Sequence, residues 1–213
     1  AHMVEEAELE TFEHNDIHRV VEKVPGVYVR DEDGFGLRPN IGIRGANSDR
    51  SAKITLMEDG IVLAPAPYAA PAAYYFPMTT RLIGVEVSKG QSSIQYGPHT
   101  VGGAINLKTR DVPDAPAASA DISYGTYQTQ KIHGWVGTGS ARGGLLLEGV
   151  HLRSDGFKVL DTGGDTGFER TEAMFKGRLN LSEGVTAQAL ELKLGYATER
   201  SEETYLGLTA GDL

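Results

Sequence analysis

The chain has 213 residues, 23% of them charged and 40% hydrophobic, a balance that suits a folded chain and excludes wholesale disorder. A formal net charge of −9 argues against nucleic acid as a partner, and the absence of cysteine excludes disulfides, thiolate chemistry and cysteine-held metals. The longest uncharged stretch, Gly60 to Thr80, carries Pro65, Pro67, Pro71 and Pro77, so it forms no spanning helix, and any membrane span here must use barrel strands.

In chain order, Ala1-His2-Met3 reads as the remnant of an expression tag, with the native start and any leader removed. Val4 to Glu13 is acidic and reads as weakly structured. A short helix follows, capped by Asn15 or Asp16 and running to Val24, with Ile17, Val20, Val21 and Val24 at helical spacing and Pro25-Gly26 as its stop. His14 and His18, four apart, fall on one face of it. Two histidines are too few for a metal site, and they read as solvated or capping residues. Gly26 to Arg30 is a strand and Asp31 to Pro39 a solvated loop. Asp31, Glu32 and Asp33 there do not follow the spacing of a helix-flanked calcium loop. Ile41 to Gly45 is a short strand that places Arg44 in an apolar frame, where it needs an acidic partner.

Lys53 to Met57 forms a strand, Glu58-Asp59-Gly60 a hairpin turn, and Ile61 to Leu63 the returning strand. The run from Ala64 to Pro77 is a semi-rigid loop of proline, alanine and aromatics, with Tyr68, Tyr74, Tyr75 and Phe76. Its tyrosines either floor a ligand pocket or cover a sheet. Met78 to Leu82 makes one helical turn. Ile83, Val85 and Val87 then alternate with polar or small residues as a strand ending at Lys89-Gly90; Ile94 to Pro98 is a turn, and Gly102-Gly103 opens a second strand to Thr109. A strand, not a helix, follows those glycines, so they are no dinucleotide fingerprint. No nucleophile elbow or phosphate-cradling loop is present, and no residue set supports an enzyme. Asp111 to Ser119, with Pro113 and Pro116, is a linker that divides a domain at 1–113 from one at 114–213.

Beyond Ser119, segments of about ten residues alternate in polarity between turns. They cover Ala120 to Tyr127, Lys131 to Thr138 and Leu145 to Arg153, followed by a long loop from Ser154 to Glu169. In the fourth segment Ala173, Phe175, Gly177, Leu179 and Leu181 oppose Glu172, Met174, Lys176, Arg178 and Asn180; Ser182-Glu183-Gly184 is a tight turn. In the fifth, Leu190, Leu192, Leu194 and Tyr196 oppose Ala189, Glu191, Lys193 and Gly195. Alternation alone suits both a barrel wall and one layer of a soluble β-sandwich.

Three ordered motifs carry a resemblance. Ile43-Arg44-Gly45, Leu56-Met57-Glu58-Asp59-Gly60, and the set Val85, Glu86, Val87, Gly90, Tyr96, Gly97, Gly102, Gly103, Ile105, Asn106 and Thr109 resemble the plug domain of TonB-dependent outer-membrane transporters. The departures are Lys89 where that family often has Arg, Thr100 for a frequent Ala, and Arg110 for a frequent Lys. Ala66-Pro67-Tyr68, with Tyr96-Gly97-Pro98 and Val101-Gly102-Gly103, looks like the ferric citrate group within it. The resemblance implies an α+β plug domain, a small mixed sheet with short helices, followed by antiparallel strands of an incomplete transmembrane β-barrel. Five strands do not close a barrel, and the family's wall has about twenty-two, so the chain is expected to be an N-terminal piece.

The functional expectation that follows is uptake of a ferric chelate across the outer membrane of a Gram-negative bacterium. TonB would supply the energy from the periplasmic side, the wall would contact outer-membrane lipid, and no cofactor would be needed. The rival readings are an outer-membrane binding or adhesion protein of the same architecture, and a soluble β-rich binding domain. An anionic chelate calls for cationic and hydroxyl donors in loops, which gives Arg38, Arg50, Tyr68, Tyr74, Tyr75 and Gln91 as ligand candidates. The resemblance makes Arg44, with Glu86 and Lys89, a residue that docks plug to wall. The alternative for Arg44 is an internal salt bridge to Glu58, Asp59 or Glu86.

Overall fold

The computed structural model describes residues 1–63, 72, 75–97, 100–160, 163–164, 166–182 and 188–202. The chain divides into two compact units, Ala1–Arg110 and Asp111–Leu213.

The first unit is built on a five-stranded mixed sheet in the order β1-β6-β7-β4-β5. These are β1 (His2–Glu5), β4 (Ile54–Glu58), β5 (Ile61–Val62), β6 (Leu82–Lys89) and β7 (Gly103–Thr109); β4 runs parallel to β7 and the other pairs are antiparallel. The core face carries Ile54 and Leu56, Val85 and Val87, and Ile105 and Leu107, which the register sets side by side. Two short helices, α1 (Glu6–Phe12) and α2 (Ile17–Val21), and a two-stranded ribbon, β2 (Val27–Arg30) with β3 (Asn40–Ile43), complete the unit. Val20, Val21 and Val24 from α2 and its last turn, with Val27, Ile41 and Ile43 from the ribbon, join the same core. Burial of these branched side chains is the main driving force for the unit, at roughly 1.5–3 kcal/mol for each fully covered one.

Several expectations change. Val4 to Glu13 is ordered as β1 and α1, because Val4 alternates into the core while His2, Met3 and Glu5 do not. Asp16 is the N-cap of α2, accepting from the His18 backbone N–H at 2.8 Å. The helix ends at Val21, and a turn bonded from Val24 N–H to Val21 C=O continues it. His14 precedes the cap, so it shares no helix face with His18. Arg44 is not inside an apolar strand: β3 ends at Ile43, and Arg44 turns out at φ 55° with an exposed side chain. Gly90–Tyr96 is a 3₁₀ segment, not a loop with a turn at its end. The turn expected at Met78–Leu82 is a 3₁₀ turn at Thr79–Arg81.

The second unit is a five-stranded antiparallel meander in the order β12-β11-β10-β9-β8. The strands are β8 (Ala117–Tyr124), β9 (Gln130–Ser140), β10 (Gly143–Ser154), β11 (Phe168–Ser182) and β12 (Gln188–Ser201). The first begins at Ala117, inside the expected linker, and ends at Tyr124, since Tyr127 and Gln128 take up positive φ in the next turn. The Glu183-Gly184 part of the expected turn lies outside the described residues. Connections are short at one end, as at Ala141-Arg142, and longer at the other, where residues 155–167 join β10 to β11.

Candidate functional site

The family-like motifs of the first unit are physically interlocked. Asp59 and Gly60 turn the β4–β5 hairpin at φ 50° and 80°, the geometry that suits two-residue hairpins. The Asp59 carboxylate accepts the Thr109 N–H at 2.8 Å and the Thr109 hydroxyl at 2.5 Å, and Asn106 Oδ1 accepts the Gly60 N–H at 2.8 Å. Asp59, Gly60, Asn106 and Thr109 therefore form one joint. At the other end of the sheet an added Cβ on Gly103 would lie 2.5 Å from the Ser88 carbonyl oxygen, which only glycine tolerates. The Arg44 guanidinium lies across Gly90, where a Cβ would meet its Nη1 at 2.5 Å and φ is +71°.

Glu58 sits on the core face of the sheet, buried, and needs a cation. Arg81 supplies it: Nη1 donates to Oε1 at 2.9 Å and Nη2 to Oε2 at 2.8 Å, a bidentate fork. Nη2 also donates to the Tyr75 hydroxyl at 3.0 Å. This is the salt bridge to Glu58 that stood as the alternative role for Arg44, made instead by Arg81. The sequence hides it, because the two residues lie 23 apart with no shared motif.

A second polar system joins α2 to the loops around β2 and β3. Asp33 is buried at 6% exposure and accepts the backbone N–H groups of Phe35, Gly36 and Arg38 at 2.5–2.9 Å. The expected solvated loop is thus organised around one carboxylate. His18 is 2% exposed; its Nε2 accepts the Asn40 N–H at 3.2 Å, and its Nδ1 faces Asp31 Oδ1 at 3.1 Å and Asp16 Oδ1 at 3.3 Å. Burial pushes the His18 pKa down, but the Asp16 contact and the charges of Asp16, Asp31 and Asp33 outweigh it and leave the pKa raised. Burial likewise acts upward on Asp16, and the His18 contacts and Arg19 bring it below the ordinary carboxylate value. The ligand atoms of Asp16, His18 and Asp31 lie within 4.8 Å of one another. A cation on Nδ1 would require the ring proton on Nε2, where the Asn40 N–H already points, so the group suits a proton better than a metal.

Arg38 and Arg50 belong to this second system. Arg38 is tied through its N–H to Asp33 and donates Nη1 to the Leu37 carbonyl at 3.1 Å. Arg50 is exposed, with its N–H held by Asn40 Oδ1 at 2.7 Å. Gln91 is exposed in the 3₁₀ segment after β6, and among the described residues no hydrogen bond joins it to Arg38 or Arg50. Tyr75 is in the Arg81 network, while Tyr68 and Tyr74 lie outside the described residues, as do Ala66, Pro67 and Pro98. Glu86 is half-buried opposite Met3 and Asn106, and Lys89 Nζ donates to the Pro25 carbonyl at 2.7 Å.

In the second unit, the register gives the two faces of the sheet opposite chemistry. One face presents Ile122, Ile132, Val136, Leu145, Leu147, Leu179, Leu190, Leu192, Leu194 and Tyr196, all exposed. The other carries Lys131, His133, Glu148, Arg170, Glu172, Lys176 and Glu199 among the buried side chains of Leu146, Val150, Leu152 and Met174. His133 Nε2 meets Glu148 Oε1 at 2.7 Å; Arg170 meets Glu172 at 2.6 Å and Glu199 at 3.3 Å. A soluble sheet hides its apolar side. This one displays it and pairs its charges on the opposite face, the pattern of an outer-membrane barrel strand. No helix among the described residues is long and apolar enough to cross a membrane.

The TonB-dependent receptor plug domain model matches residues 1–104. The vitamin B12 transporter BtuB of Vibrio vulnificus (strain CMCP6) is 25% identical over 170 residues, which are 78% of this chain and 27% of that protein. Among solved structures, the siderophore receptor PirA from Acinetobacter baumannii matches at TM-score 0.75 and 18% identity, covering 97% of this chain and 33% of its own. The unliganded ferric citrate transporter FecA matches at TM-score 0.75 and 21% identity, covering 95% and 31%. This chain spans about a third or less of the relatives it matches. The two structural likenesses establish the fold across both units. Residues 1–104 thus match the plug domain of TonB-dependent receptors, and both units share the fold of such receptors, the second as an antiparallel sheet.

Proposed function

We propose that this chain is part of an outer-membrane transporter that takes up a ferric chelate of the citrate or siderophore class, with TonB supplying the energy. The observation that carries the reading is the second unit's sheet, exposed and apolar on one side and charged on the other, following directly on a plug domain. The apolar side suits lipid contact and the charged side an aqueous, protein-filled interior. The relatives named are a vitamin B12 transporter, a siderophore receptor and a ferric citrate transporter, so the family alone leaves the cargo open. The motif around Ala66-Pro67-Tyr68 and Tyr96-Gly97-Pro98 favours the ferric citrate group. The cationic loop residues Arg38 and Arg50 favour an anionic cargo, with Tyr68, Tyr74, Tyr75 and Gln91 as further donors. Arg44 is exposed at a tight turn, and no acidic side chain among the described residues pairs with it, which supports a docking role beside Glu86 and Lys89. Transport of this kind needs no covalent chemistry and no resident cofactor.

Uptake of labelled ferric citrate, ferric siderophores and cobalamin by cells with the full-length receptor as sole importer, with and without TonB, tests the proposal. Saturable uptake of a ferric chelate that disappears without TonB supports it. Binding of chelate with no TonB-dependent accumulation favours a binding protein of the same architecture, and cobalamin uptake alone overturns the cargo.

A further inference from the structure

His18 is a buried titratable group that transport by itself does not require. It lies at the junction of α2 with the loops flanking β2 and β3, and its two ring nitrogens face different chemistry. Nδ1 lies near carboxylates from two elements, Asp16 at the cap of α2 and Asp31 after β2, without a hydrogen bond to either, with Asp33 adding its charge nearby and Arg19 acting on Asp16. Nε2 accepts the backbone N–H of Asn40, so the neutral ring carries its proton on Nδ1. Asn40 in turn is fully buried and serves as a hub. Its Oδ1 accepts the Arg50 N–H at 2.7 Å, and its Nδ2 donates to Glu32 Oε2 at 2.7 Å. The adjoining Ile41 N–H and Pro39 carbonyl are both held by the Ser51 hydroxyl, at 3.0 and 2.8 Å.

We propose that His18 is a proton-responsive clamp on the loop that carries Arg50. In the neutral ring Nε2 holds the Asn40 amide, and Asn40 holds Arg50. A proton from solvent can be added only at Nε2, which then becomes a donor facing another donor. The Asn40 N–H loses its acceptor, while the new positive charge tightens the ring onto Asp16 and Asp31. Acidification therefore exchanges one set of contacts for another, loosening the start of β3 and the Arg50 backbone while strengthening the cap of α2. The loop is a two-state element biased by one proton. The proposal needs neither the cargo nor TonB, so it stands or falls apart from the transport reading.

The test is an NMR titration from pH 5 to 9 of the full-length receptor in detergent micelles, following the His18 ring and the Asn40 and Arg50 amides. The clamp predicts that both amides shift with the midpoint of the ring. In His18→Gln, whose amide oxygen accepts at every pH, both shifts should vanish while the fold is retained. A ring that titrates without moving the Asn40 amide overturns the proposal. So does a ring that keeps one charge state from pH 5 to 9, or an Asn40 shift that persists unchanged in His18→Gln.

Discussion

Arg81 and Glu58 are the residues whose loss the first unit should feel most. Each is nearly buried and they meet through a two-pronged contact. Arg81→Ala removes the bidentate partner of a buried carboxylate and is expected to destabilise the unit by about 3–5 kcal/mol, whereas the double replacement Arg81→Met with Glu58→Leu should recover most of that loss. Denaturant unfolding of both variants, followed by proteolysis of the first unit, gives the comparison, and equal losses would contradict it. The Asp16–His18 pair sets a pH window. The His18 pKa is raised, so its contribution is complete below its ordinary value of 6.5 and fades as pH rises through the raised value. The Asp16 pKa is lowered, so its share is complete above 3.8 and fades on strong acidification. First-unit stability should therefore fall between neutral and alkaline pH, with a slope that flattens in His18→Gln, as thermal melts across pH would show.

At the scale of elements, what the sequence made legible follows from range. Strands with a strict period, such as Val85 and Val87 or Leu190 to Tyr196, advertise their faces, and the structure places them accordingly. The Asp59-Gly60 turn was equally plain, because few residues accept positive φ. The Arg81–Glu58 fork, the Asp33 anchor and the His18 contacts were not, since each joins residues without a common motif and depends on how elements pack. β1 was missed because a single core residue, Val4, carries its signal. The ligand candidates share only a position in loops; the structure joins Arg38 and Arg50 to one polar system, to which Gln91 makes no hydrogen bond. The two faces of β12 make opposite predictions. In the full-length receptor, Leu192→Arg at the middle of the apolar band should cost about 2–4 kcal/mol if that band meets lipid, while Glu191→Arg on the charged face should cost much less. Assembly yield in the outer membrane separates the two, and equal tolerance would mean the band does not face lipid.

For the molecule as a whole, a mixed-sheet unit is followed in the chain by an antiparallel sheet whose exposed apolar face is the reverse of a soluble one. The docking role proposed for Arg44 belongs at this scale. Arg44→Ala in the full-length receptor should make the plug more sensitive to periplasmic protease with the wall still assembled, and unchanged protection would remove Arg44 from that role. The transporter proposed above requires a closed outer-membrane barrel, and the most direct test is an immunoblot of the native outer-membrane fraction, boiled and unboiled, with antibody to the first unit. The proposal predicts a heat-modifiable band of about three times the mass of this chain, since the chain covers 33% of the siderophore receptor PirA. A soluble band near 22.8 kDa whose mobility is unchanged by boiling would contradict it.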